Sequence, residues 1–198
     1  MRKSALHWLG HSFVIVVAAL ASACATDAAV NPVDVTTTAR GGTGVRDESA
    51  GNRLPDLSAC PQLAAPVGST LVLQAFGVGV QIYHWNGASW GVAVPSATLY
   101  ADAGQHGVVA DHFAGPTWQS NSGGTVVGTV ANRCTPDPAS IPWLSLTAVP
   151  NGAGIFEKVT FIQRLHTVGG NPPATAGTVI GQEAKVPYTA DYLFYDVR

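Results

Sequence analysis

From about Pro61 onward the chain is cut into short apolar runs rich in Val, Thr, Ile, Tyr, Phe and Trp, with Gly, Pro and Asn between them. The runs are Thr70–Phe76, Gly79–Trp85, Ser89–Val94, Thr98–Ala101, Val108–Phe113, Thr125–Ala131, Trp143–Val149, Phe156–Leu165 and Ala190–Val197. Nearly all have the length of a strand rather than of a helix, and no long stretch keeps a 3.6-residue apolar period. Regularly spaced short strands with turn signals between them predict an all-β fold, an antiparallel β-sandwich or a barrel-like single domain. Asn86-Gly87 divides QIYHW from ASWGVAV. Read as a two-residue hairpin turn, it sets Tyr83 opposite Trp90. Val78, Val80 and Ile82 then share one strand face, which is expected to be the core face.

Composition narrows the partners. Only 11% of the residues are charged, and Lys+Arg 10 against Asp+Glu 12 leaves a net charge of −2. No basic field for a nucleic acid exists, and a charge-rich disordered chain or a coiled coil is excluded.

The N-terminus reads as an export signal. Arg2 and Lys3 precede the apolar run Ser12–Leu20, and Ala21, Ser22 and Ala23 lead to Cys24. The run is too short to span a bilayer, which takes about 20 residues. Small residues before a cysteine resemble a lipobox, with Cys24 as the lipid-modified first residue, although Ala21 stands where a lipobox usually has Leu. An ordinary A-x-A cleavage is the alternative. The expectation is a cell-envelope lipoprotein, placed at the outer membrane because Ala25 offers no acidic retention cue, or else a secreted protein. The membrane is then a partner through the anchor on Cys24. Residues 24–59 lack aromatics and carry Thr36-Thr37-Thr38 and Gly41-Gly42-Thr43-Gly44, the texture of a flexible tether. The organisation is therefore a signal over 1–23, a tether over 24–59 and a β domain over 60–198. With Cys24 lipidated or removed, Cys60 and Cys134 remain, and an exported domain most economically joins them in one disulfide.

Six stretches occur in order: GVQIY at Gly79–Tyr83, HFAGPTW at His112–Trp118, VVGTV at Val126–Val130, IPWL at Ile141–Leu144, VTFIQRLHTVGG at Val159–Gly170 and VPYTADYLFY at Val186–Tyr195. Together they resemble the exported family called domain of unknown function 3455, from about residue 66 to 196. The resemblance implies no activity. Some members carry a malate dehydrogenase label, but no G-x-G-x-x-G follows a strand here and no strand–helix alternation exists, so that label is set aside. The family pattern implies a cysteine pair at the positions of Trp85 and Gly177. Neither is Cys here, and Cys60–Cys134 is expected to serve instead.

Chemistry-bearing residues are few. His112, which opens HFAGPTW, is the leading candidate because an imidazole can donate, accept and change charge near neutral pH. Arg164 lies in an apolar strand and requires a carboxylate, carbonyls or a ligand anion; Asp191 is the carboxylate expected to pair with it. Trp118 and Tyr188, with Trp143 and Trp90, offer either a binding platform or core aromatics, and core placement is the preferred reading. The ligand-binding candidates are thus His112, Trp118, Arg164, Tyr188 and Asp191. Asp102, His106, Asp111 and His112 cluster in sequence without a metal-ligand motif, so neither metal nor cofactor is expected. No G-x-S-x-G elbow or recognisable carboxylate pair is present. The function expected is binding of a small molecule, a glycan or an envelope partner. A hydrolase or metal-dependent enzyme centred on His112 with Arg164 and Asp191 is one alternative, and a purely structural envelope role is another.

Overall fold

A computed structural model describes residues 55–198. The signal, Cys24 and most of the tether lie outside the described residues. Eight strands form a closed antiparallel barrel: β1 Thr70–His84, β2 Val94–Tyr100, β3 Val108–Phe113, β4 Thr117–Ser120, β5 Thr125–Cys134, β6 Trp143–Asn151, β7 Phe161–Gly169 and β8 Glu183–Asp196. Each strand pairs with the next, and β8 returns to pair with β1 from Thr70↔Asp196 to His84↔Glu183. The all-β expectation holds in its barrel form.

Alternation decides what enters the barrel. On β1 the inward set is Ala75, Gly77, Gly79, Gln81 and Tyr83, paired across β8 with Tyr192, Ala190, Tyr188, Val186 and Ala184. Val78, Val80 and Ile82 therefore face outward, half-buried, which corrects the expected core face. Gly77 makes room for a ring, whereas Gly79 makes room for the β2 backbone at Ser96 and Ala97. A Cβ on Gly77 would stand 2.6 Å from the Tyr192 ring, and one on Gly128 would stand 2.9 Å from Leu146 and 3.1 Å from Trp118. An eight-stranded barrel has an interior just wide enough for side chains to fill, so small residues on one wall admit large ones from another.

The Asn86-Gly87 turn is longer than expected. Asn86 Oδ1 accepts the N–H groups of Ala88 and Ser89 at 2.9 and 2.8 Å, and Asn86 N–H donates to the Ser89 carbonyl. This side-chain turn widens the loop and places Trp85, not Tyr83, opposite Trp90. The Trp85 indole packs where a side chain on Gly177 would sit, 2.5 Å from a Cβ built there. The two positions implied as a cysteine pair are thus in contact.

A second apolar cluster covers the outer face of β7 and β8, where Phe161, Leu165, Leu193 and Tyr195 meet Cys60 and Leu63. A single 3-10 turn, Pro61–Leu63, opens with proline and caps this face. Gln163, buried here, donates from Nε2 to the Leu63 carbonyl at 2.7 Å and accepts the Tyr195 hydroxyl at 2.9 Å. Burial pushes the Tyr195 hydroxyl up to about 12. Cys60 and Cys134 form the expected disulfide, 74 residues apart.

Two outcomes follow from this packing. Gly77→Ala should lower the unfolding free energy by about 1–3 kcal/mol through overpacking. Combined with Tyr192→Leu it should cost less than the two single losses added, as measured by urea melts; strict additivity would mean that Gly77 does not make room for the ring. Removing the bridge with Cys60→Ala and Cys134→Ala should cost about 2–5 kcal/mol. Non-reducing mass spectrometry of the parent chain should show no free thiol at either position.

Candidate functional site

HFAGPTW builds a hairpin that brings its two ends together. Gly115, with φ of 80°, turns the chain between β3 and β4. His112 then pairs with Trp118 across the two strands, both inward. The rings stack with centroids 4.2 Å apart and planes 3° from parallel, and Tyr192 meets both edge-on. His112 is 3% exposed and Trp118 is 1% exposed. The His112 Nδ1 sits 2.9 Å from the Thr117 carbonyl, which can only accept. Nδ1 therefore carries the hydrogen, leaving Nε2 with the free lone pair of a neutral ring. Burial lowers the pKa of His112 to about 4; the Thr117 bond opposes that shift, and the Arg164 charge adds to it.

Arg164 enters the same interior from β7, with Leu144 and Tyr192 as its strand partners. Its Nη2 donates to the Pro142 carbonyl at 2.9 Å. The expected Arg164–Asp191 pair is not formed. Asp191 is registered with Leu165 and points outward, one residue out of phase with Tyr192. A bulge in β7 carries His166, at φ of 48°, to that outer face. There His166 Nδ1 lies 2.8 Å from Asp191 Oδ2, and its pKa is raised by that hydrogen bond. The trio of His112, Arg164 and Asp191 considered for a hydrolase is thus divided between the two faces of the sheet.

A cavity of about 580 Å³ occupies the barrel between these groups. Much of its wall is apolar, from residues such as Val94, Pro95, Val130, Leu144 and Leu146. Polar groups come from His112, Gln81, Tyr83, Arg164 and, at the exposed end, Arg133; no carboxylate borders it among the described residues. Three buried nitrogens of residues on this wall make no hydrogen bond of ordinary geometry among the described residues, Gln81 Nε2, Trp118 Nε1 and Arg164 Nε, although the Tyr188 hydroxyl lies near Gln81 and the Tyr192 hydroxyl near Arg164. Each such donor costs on the order of 1–3 kcal/mol unless an acceptor reaches it. Tyr188 stands in the same interior with its hydroxyl 3.0 Å from that of Tyr192; burial drives both upward in pKa.

The remaining candidates disperse. Trp143 packs edge-on against His166 on the outer face, and Trp90 donates its indole N–H to the Thr175 carbonyl near the Asn86 turn. The four aromatics form no common platform; Trp118 and Tyr188 are core, as preferred. Asp102 binds His106 within one exposed loop at 3.0 Å, while Asp111 and His112 take opposite faces of β3. No group of three or more His, Cys, Asp or Glu side chains converges among the described residues. Sequence reading missed Gln81, Tyr83 and Arg133. The available signal was Gln81 itself, a polar residue sharing phase with Gly77 and Gly79.

Neutral burial of His112 gives stability a pH dependence with a defined sign. Its folded pKa lies below the ordinary 6.5, so the unfolded chain binds the proton first. The contribution is complete above about pH 6.5 and is lost as pH falls toward 4, amounting to about 3 kcal/mol for a shift of this size. Urea midpoints measured from pH 7 to 4 should fall steeply in the parent and less so in His112→Asn. An identical slope in the two proteins would assign the acid sensitivity elsewhere.

The family described as "Protein of unknown function (DUF3455)" matches residues 66–196, from just before β1 to the last residue of β8. No curated protein and no solved structure matches the chain. The matched segment contains all eight strands and every residue of the Arg164 cavity, and the chain belongs to the DUF3455 family.

Proposed function

We propose that this protein is an exported, lipid-anchored β barrel that binds a small molecule in the Arg164 cavity. One observation carries the binding reading: three residues on the wall of a single cavity of about 580 Å³ hold buried N–H donors that make no hydrogen bond of ordinary geometry. That size is ordinary for ligand pockets, which combine apolar walls with a few converging polar groups. A site that only had to be filled would be served by apolar side chains, because unpartnered donors destabilise the fold. A small molecule fits better than a glycan. The indole of Trp118 is covered by His112 instead of lying open as a stacking surface for a sugar.

The anchor rests on the sequence alone: Arg2 and Lys3, the short apolar run and the small residues before Cys24. Acylation there would hold the barrel at a membrane surface, with the following segment as a tether.

Two measurements test the two halves. Cells fed an alkyne-labelled fatty acid should incorporate label into the parent and none into Cys24→Ser; equal labelling would remove the anchor. A thermal-shift screen of chemically diverse small molecules on the full-length protein should find saturable stabilisation, worth about 2.7 kcal/mol at a hundredfold excess over Kd. That response should disappear in Arg164→Ala. A screen without a saturable hit, or hits indifferent to Arg164, would oppose the binding reading.

A further inference from the structure

The cavity has a charge preference that its size does not dictate. Its two charged wall residues are Arg164 and Arg133, and no carboxylate offsets them on that wall among the described residues. Four acidic groups are engaged in ion pairs or histidine contacts away from the cavity: Asp102 with His106, Asp191 with His166, Glu183 with His84 and Lys185, and Asp196 with Arg198; Asp137 accepts from Ala139 N–H and Ser140 Oγ. A guanidinium partly withdrawn from water without an opposite charge is costly, and a bound anion removes that cost.

Geometry narrows the anion. Pro142 takes one guanidinium hydrogen of Arg164, and Nε–H makes no hydrogen bond of ordinary geometry, with the Tyr192 hydroxyl near the guanidinium. A guanidinium offers parallel N–H donors that match a planar carboxylate. Gln81 Nε2, also without a hydrogen bond of ordinary geometry and on a residue only 3% exposed, adds an amide donor on the same wall, beside the Tyr188 hydroxyl. The rest of the wall is aliphatic and aromatic, which suits an apolar body and disfavours a strongly hydrated polyanion. His112, held neutral with its Nδ1 on Thr117, adds no further positive charge. Arg133, exposed where β5 bulges, stands at the open end.

Resting on the small-molecule reading above, we propose that the occupant is an organic monocarboxylate with an apolar body, its carboxylate on Arg164 and its entry favoured by Arg133. The acid is bound inward through the guanidinium, and the hydrocarbon part lies along Val130, Leu144 and Leu146.

Calorimetry on the full-length protein at pH 7 and fixed salt tests this with octanoate and 4-phenylbutyrate, each beside its uncharged primary amide. At least one acid should bind about 10- to 100-fold more tightly than its amide, the range expected of charge-assisted hydrogen bonds. Arg164→Met should abolish that preference. Arg133→Gln, an exposed change that leaves the core intact, should weaken acid binding about threefold and flatten its salt dependence while leaving amide binding alone. Should Arg164→Met fail to fold, the Arg133→Gln comparison decides. Equal affinity for acid and amide would overturn the carboxylate assignment while leaving small-molecule binding intact. Binding of neither acid nor amide would also overturn it, and a saturable neutral hit in the wider screen would still uphold the reading beneath it.

Discussion

The seam between β1 and β8 is the constraint on which the barrel depends. It runs in register from Thr70↔Asp196 to His84↔Glu183 and turns an open sheet into a tube without an exposed edge. Closure fixes which side chains have only the interior to occupy. The same seam sets Gly77 beside Ala190 and Gly79 beside Tyr188; the space beside Gly77 takes the Tyr192 ring of β8, and that beside Gly79 takes the backbone of β2. Without the space beside Gly77 the stacked His112–Trp118 pair and Tyr192 would compete for one volume. Shape and site therefore share a cause: glycines at alternating positions of one strand.

Charge in the interior is economical. Of the cations in the described residues, Arg164 alone is carried inward by an ordinary run of strand, and the register that seats it also turns Asp191 away. Because a strand alternates every residue, neighbours in sequence are poor predictors of partners in space; one step of phase exchanges an ion pair for an isolated guanidinium. The β7 bulge completes the separation by giving Asp191 a histidine partner on the outer surface. What remains inside is a positive group among apolar walls, balanced by dipoles: the Pro142 carbonyl on Arg164 and the Thr117 carbonyl on His112.

Much of this architecture was legible from residue order. Val108–Phe113 was bounded correctly, and β5 and β6 were placed within three residues, because apolar runs between turn formers leave little freedom. Two expected runs fused into β1 because Gly77 and Gly79 read as punctuation, whereas inside a barrel they serve as clearance. Thr117–Ser120 was missed as a strand because four residues hold too little alternation to register. Ser89–Val94 failed as a strand because the Asn86 side chain widens the turn and releases the chain until Val94. At the site, His112, Trp118 and Arg164, three of the ligand-binding candidates, line one cavity, whereas Asp191 faces outward. Their convergence depends on register around the whole tube, which no local pattern encodes. At the two positions where the resemblance implies a cysteine pair, Trp85 and Gly177 are in contact, the indole taking up the space beside a residue without a side chain.

The Cys60–Cys134 link reaches further than the outer cluster it closes. Cys134 directly follows Arg133 and pairs with Trp143, the residue before Leu144 on the cavity wall. A covalent staple on the outside thereby steadies the rim that carries the outermost guanidinium. Cleaving the sulfur bond would therefore release two structures at once, the outer apolar cluster and the end of β5 beside the cavity.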